Sequence, residues 1–220
     1  MLAKSLISDI IVPLRTSDSG LIALSMMEEF KVMHLPIVNE RDYLGLICEN
    51  DILNYNHPED PLGNHPLSLN WPNVLENNHI LEIFKTFTNN KLTLLPVIDD
   101  KNEYIGCITL MSLMENYSRI DPILNPGGII ILDMNYRDYE LSEIAQIIES
   151  NDATVMGLYT DTHPNSTKMT VTIKVNKMDI SGILQTLHRY NYSIEASFGE
   201  NDFNDLLRDR YDGLLNFLNV

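Results

Sequence analysis

The chain is poor in cysteine, in basic charge, in clustered histidine and in long apolar runs, and each shortage removes a class of function. Its two cysteines, Cys48 and Cys107, each sit inside an apolar run. A disulfide-stapled scaffold and a Cys-rich zinc module are therefore not expected, and both thiols read as small hydrophobes. Fifteen Lys plus Arg face 31 Asp plus Glu, a formal net charge of −16. Nothing in the sequence clusters cations along a phosphate track, so nucleic acid is not an expected partner, and the same charge is repelled by anionic lipid. The histidines (His34, His57, His65, His79, His163 and His188) are scattered, with no i, i+4 pair and no metal-ligand spacing, so no metal is expected. No segment reaches the roughly 18 uninterrupted apolar residues of a membrane span. The opening "MLAKSLISDIIVPL" is broken by Asp9 and Pro13. It is expected to be neither a signal peptide nor an anchor, which makes the cytoplasm the expected location. There is no GxSxG, no P-loop and no GxGxxG, and "NPGGIII" opens a strand rather than a helix. No enzyme is expected.

What is present is an ordinary globular composition, 44% hydrophobic and 21% charged over 220 residues. That length suits two or three small domains. Within it, a phrase is repeated. "HLPIVNERDYLGLICENDIL" from His34 to Leu53 has an echo in "LLPVIDDKNEYIGCITLMSL" from Leu94 to Leu113. At an offset of sixty, Leu35-Pro36 falls on Leu95-Pro96. Leu21, Ala23, Leu24 and Met27 fall on Leu81, Ile83, Phe84 and Phe87, at helical spacing in both copies. Asp18 and Asn78 align as expected N-caps. After one inserted residue, Tyr43, Gly45 and Ile47 match Tyr104, Gly106 and Ile108. Each copy is thus expected to be an extended lead-in, a helix, a strand, a tight charged turn, a Gly-bearing strand and a closing helix, near Glu49 to Asn54 and Leu110 to Tyr117. The Pro- and Gly-bearing "NYNHPEDPLGNHPLSLN" between them reads as a loop.

This pattern resembles the CBS domain, and two copies in register resemble a CBS pair, over roughly residues 1–120. The resemblance implies α-β-β-α repeats about a pseudo-twofold axis, with two clefts between them. In many members these bind adenine nucleotides or S-adenosylmethionine. It also implies regulation rather than catalysis, and a dimer. The family signature for the nucleotide is Ser or Thr, two residues, then Asp: the hydroxyl and nearby helix N–H groups suit a phosphate and the carboxylate suits the ribose hydroxyls. In copy one Asp51 matches and Cys48 replaces the hydroxyl; in copy two Thr109 matches and Ser112 replaces the acid. Neither copy has the full pair. These four residues, with Pro36 and Pro96 of the apolar strands, are the candidate cleft residues. ATP, ADP, AMP or S-adenosylmethionine are the ligands the resemblance implies.

Beyond "SRIDPILNPGG", a natural boundary, the order becomes β-α-β-β-α-β, a ferredoxin-like plan. "KMTVTIKV" alternates strictly, with Met169, Val171, Ile173 and Val175 on one face. Leu141, Ile144, Ala145 and Ile148 share one helical face, and Ile180, Ile183, Leu184 and Leu187 another, with Asp179 as its cap. "LSEIAQIIESNDATVMGL" is similar to the first helix and second strand of ACT domains. Where amino-acid-binding ACT domains carry Pro-Gly, this chain has "YRDYE", whose Asp138 and Glu140 would repel a carboxylate. Packing and dimerisation are the expected roles there. A CBS pair followed by an ACT-like domain resembles, in domain order, the acetoin-utilisation accessory proteins of bacteria. The tail places Phe203, Leu206, Leu207, Leu214 and Leu218 on one helical stripe with acids opposite, which suits docking on protein rather than on a membrane.

The expected chain is therefore α/β (α+β). CBS repeats occupy 1–57 and 58–120, an ACT-like domain 127–199 and a C-terminal helix 202–219. The expected function is non-catalytic regulation, in a homodimer with a regulated protein partner. The CBS pair would sense an adenine-containing ligand; the rival expectation is a ligand-free dimeric interaction scaffold with degenerate clefts.

Overall fold

The computed structural model describes residues 1–8, 10–65, 71–162 and 166–199. The chain forms two compact units, Met1–Ser118 and Arg119–Val220. The C-terminal helix expected over 202–219, and the turn containing His163, lie outside the described residues.

The first unit runs α1 (Gly20–Phe30), β1 (His34–Asn39), β2 (Asp42–Cys48), α2 (Glu49–Leu53), β3 (Val74–Leu75), α3 (Ile80–Asn90), β4 (Leu94–Ile98), β5 (Tyr104–Thr109) and α4 (Leu110–Tyr117). The repeat is physical as well as textual. β1–β2 and β4–β5 are antiparallel hairpins, and each carries a register shift at the same place, Ile37/Val38 and Val97/Ile98. The glycine common to both copies sits opposite that irregularity, at φ 144° for Gly45 and 152° for Gly106, a backbone few L side chains adopt. The lead-ins also correspond. Leu14 bridges Ile37 in parallel, and β3 runs parallel to β4 with Val74 opposite Val97.

Both long helices end on a left-handed lysine, Lys31 and Lys91, but their starts differ from expectation. Ser19 Oγ accepts the Ile22 N–H and His79 Nδ1 accepts the Leu81 N–H, each at 3.4 Å. Asp18 and Asn78 do not cap. They reach backwards instead, accepting the N–H of Arg15 at 2.7 Å and of Leu75 at 2.6 Å, which fixes the turn entering each helix. The buried stripe is also rotated from expectation. Gly20, Ala23 and Met27, and their counterparts Ile80, Ile83 and Phe87, are buried, whereas Leu21 and Leu81 are exposed on the outer side of the first turn.

The two repeats exchange their entry segments. The 3-10 turn Ala3–Ser5 docks on the start of α3: Ile80, Ala3 and Lys4 N–H donate to the carbonyls of Met1, Asn78 and Glu76. The 3-10 turn Leu62–Asn64 docks identically on α1, with Leu21, Leu62 and Gly63 N–H donating to Pro58, Asp18 and Thr16. Ala3 and Leu62 are both fully buried. The segment that sequence patterning assigned to a loop is thus partly a structural clasp. Across the middle, Tyr43 and Tyr104 stack at 6.5 Å, and Val38 and Ile98 join them in a small apolar cluster. Apart from that cluster, the buried apolar side chains described in the unit form one core.

The second unit contains α5 (Asp121–Leu124), β6 (Ile129–Asn135), α6 (Leu141–Glu149), β7 (Val155–Thr162), β8 (Lys168–Val175), α7 (Ser181–Arg189) and β9 (Ser193–Phe198). The short helix α5, opened by Pro122 in its first turn, stands in the stretch expected to be a plain boundary. The sheet order is β7-β8-β6-β9, all antiparallel, which with its two crossing helices is the ferredoxin-like plan. Met169, Val171, Ile173 and Val175 are buried as the alternation requires. α6 buries Ile144, Ile147 and Ile148; Ile147 takes the place expected for Leu141, which is exposed at the first turn. Asp179 Oδ1 accepts the Ser181 N–H at 3.1 Å, from two residues ahead of the start of α7. No described helix is long and apolar enough to cross a membrane.

Candidate functional site

The closing helix of each hairpin begins where the signature residues stand. In copy two Thr109 is the N-cap of α4. Its Oγ1 accepts the Ser112 N–H at 3.0 Å, and Ser112 Oγ accepts the Thr109 N–H at 3.2 Å while donating to the Thr109 carbonyl. This reciprocal capping box turns both hydroxyls inward on the backbone. In copy one Cys48 takes the cap position and Asp51 Oδ2 accepts its N–H at 3.1 Å. The Cys48 side chain faces the Asp51 N–H in return, so copy one forms the same reciprocal box with sulfur in place of the hydroxyl. Burial pushes the Cys48 thiol pKa up, with a further rise from its bond to Asp51, so it stays a protonated weak donor at neutral pH.

A cavity of about 180 Å³ opens beside Asp51, lined by His34, Leu46, Cys48, Asp51, Pro72, Asn90 and Leu92. The first four belong to copy one and the last three to the lead-in, α3 and the following turn of copy two, so this is a cleft between repeats. Pro36 and Pro96 are not among the lining residues. They are buried in mid-strand opposite Leu46 and Cys107, where their rings pack the core.

His34 and Asn90 are the polar groups that sequence reasoning passed over. Thr93 Oγ1 lies 3.0 Å from His34 Nδ1, the Thr93 N–H reaches the same nitrogen at 3.4 Å, and the Met33 N–H donates to Thr93 Oγ1 at 2.8 Å. The Thr93 N–H donates to Nδ1, so that nitrogen is an acceptor and the imidazole carries its proton on Nε2. Burial lowers the His34 pKa, only partly countered by Asp51. The imidazole is therefore neutral at pH 7 and offers an N–H. The Asn90 amide nitrogen is held by the Thr86 carbonyl at 2.9 Å, which leaves its oxygen as an acceptor.

The signal for both residues was in the repeat. At the same offsets, the pseudo-equivalent cleft holds Leu94 for His34, Phe30 for Asn90, Thr109 for Cys48, Ser112 for Asp51 and Cys107 for Leu46. Leu94 and Cys107 are fully buried. The first cleft keeps a donor, an amide and a carboxylate where the second has leucine, phenylalanine and a self-satisfied serine. The repeats diverge at the positions that line the cleft.

Comparison with known proteins gives an independent reading. Residues 3–57 and 70–119 match the family model for the CBS domain. Among solved structures, a CBS domain pair/ACT domain protein from Thermotoga maritima is 19% identical, over 53% of this chain and 96% of that chain, with a TM-score of 0.48. CBSX2 in complex with AMP is 18% identical, over 54% of this chain and 97% of that chain, at 0.46. The CBS domains of a transcriptional regulator from Streptococcus pneumoniae are 16% identical, over 52% of this chain and 98% of that chain, at 0.46.

Proposed function

We propose that residues 3–57 and 70–119, which match the family model for the CBS domain, form a tandem CBS pair in a regulatory protein with one working ligand cleft, the one beside Asp51. The ligand is an adenine-containing small molecule, and the cleft on the Thr109 side is silent. The observation that supports this reading is the asymmetry between the clefts. Asp51, His34 and Asn90 line one cavity, whereas the corresponding positions of the other copy hold Ser112, Leu94 and Phe30. Carboxylate acceptors suit vicinal ribose hydroxyls, and Leu46, Pro72 and Leu92 supply apolar walls for a base.

Because the cleft is walled by both repeats, a ligand there favours whichever arrangement of the repeats closes on it, and regulation requires such a difference in affinity between states. The reader of that change is the ferredoxin-like unit, acting as an ACT-like domain, or a separate protein partner. A second copy of the chain is the proposed immediate partner. α4 exposes Leu110, Met111 and Met114 along one stripe, and native mass spectrometry should show a dimer. If the protein were instead a ligand-free scaffold, it would dimerise without binding nucleosides.

The test is Asp51→Asn. The variant keeps an oxygen to accept the Cys48 N–H but loses the charge that strengthens bonds to ribose hydroxyls. Those charge-assisted bonds are worth about 1.5–3 kcal/mol each, so adenosine-type ligands should bind about tenfold to a hundredfold more weakly by calorimetry. Ser112→Ala should leave affinity unchanged. Equal affinity in Asp51→Asn and wild type would overturn the assignment of the cleft.

A further inference from the structure

We infer that the cleft beside Asp51 takes an adenosine-type ligand without a phosphate: a nucleoside whose 5′ substituent is uncharged or cationic. This inference rests on the reading above and concerns the chemical class of the ligand in that same site.

The usual seat for a phosphate in such a cleft is filled or hostile. The N–H at the cap of α2 is already donated to Asp51 Oδ2. α2 is a single turn of five residues whose first turn carries both Glu49 and Asp51, so any field from its N–H groups is opposed at once by two carboxylates. No Lys or Arg lines the cavity among the described residues. His34 does not replace them. Its Nδ1 is taken by Thr93, and a second proton there would meet the Thr93 N–H head-on. Over the whole first unit, residues 1–118 carry sixteen acidic side chains against seven basic ones. A phosphate would enter a negative field and find no lysine or arginine among the lining residues.

The size of the cavity agrees with its charge. At about 180 Å³ it lies below the roughly 300–1,000 Å³ that encloses a drug-sized ligand. It has room for a base and part of a sugar. What extends beyond the sugar meets the field of Asp51 and of a first unit rich in carboxylates, in which a cation such as a sulfonium is favoured and a phosphate chain is penalised.

Calorimetry on the full chain tests this with four probes: adenosine, S-adenosylmethionine, AMP and ATP. The expected result is binding of adenosine and S-adenosylmethionine with AMP and ATP at least about tenfold weaker. That gap should narrow as added salt screens the carboxylates. Glu49→Lys should narrow it too, by strengthening AMP without weakening adenosine. AMP or ATP binding more tightly than adenosine would overturn this inference and leave the cleft assignment standing. If none of the four binds, the cleft assignment fails and this inference fails with it.

Discussion

The two repeats allow one substitution to be worked out from the molecule's own internal control. Cys48→Thr gives copy one the cap residue of copy two. The backbone is ready for it: Cys48 lies at φ −107°, ψ 160°, and Thr109 at φ −87°, ψ 154°. In copy two the threonine oxygen accepts the N3 backbone N–H at 3.0 Å. The same rotamer at position 48 would point Oγ1 at the Asp51 N–H, which now faces only a weakly accepting sulfur. A good N-cap oxygen is typically worth about 1 kcal/mol against a residue that cannot cap. α2 is one turn long and sulfur is not wholly inert, so a stabilisation of about 0.5–1 kcal/mol is the expected size. The added methyl compensates for the lost thiol surface in a half-buried site.

The assay can be confined to the first unit, because the chain's single tryptophan, Trp71, lies in that unit, packed edge-on against Tyr43 at 6.0 Å. Urea unfolding followed by tryptophan fluorescence should show a higher midpoint at unchanged slope. The thermal midpoint should rise by about 2–4 °C. Cys48→Ser, which supplies the same oxygen without the methyl, should also stabilise. Threonine and serine variants that both leave the midpoint where it was, or lower it, would refute the capping argument.

Lys91 ends α3 at φ 52° with an exposed side chain; Lys91→Gly should therefore stabilise by about 0.5–1 kcal/mol in the same urea assay, while Lys91→Ala should not. His34 has a pKa lowered by burial from its ordinary 6.5. The unfolded chain thus binds the proton first, so this contribution to stability is complete above pH 6.5 and is lost as pH falls from there towards the folded value. Tryptophan-monitored unfolding midpoints across that window should decline in wild type and flatten in His34→Leu, which copies Leu94. Ser112→Asp completes the Thr-x-x-Asp signature in copy two, yet Leu94 and Phe30 still occupy that cleft. Calorimetric stoichiometry should stay at one ligand per chain, and a second equivalent would contradict the account of the silent cleft.

Some of the molecule was written plainly enough to be taken from the sequence. The sixty-residue offset determined the repeat, the hairpins and their shared glycine, because strand alternation and a backbone at positive φ restrict which residues fit wherever they occur. The strict alternation of Lys168–Val175 did the same for the central strand β8 of the second unit. Local chemistry was also enough to flag Cys48, Asp51, Thr109 and Ser112 as the places where the copies part company. Tertiary structure decided what those residues do. Whether a carboxylate caps a helix or faces a cavity depends on which backbone N–H lies within reach, and this set Asp18 and Asn78 to the turns and Asp51 to both tasks. The exchange of Ala3–Ser5 and Leu62–Asn64 between repeats joins backbone groups 37 to 79 residues apart, which no local periodicity encodes. The same long-range pairing brings His34 and Asn90 into one cleft. Each looked like an isolated polar residue until folding placed Thr93 behind one and Thr86 behind the other, and so settled which of their atoms are engaged within the protein.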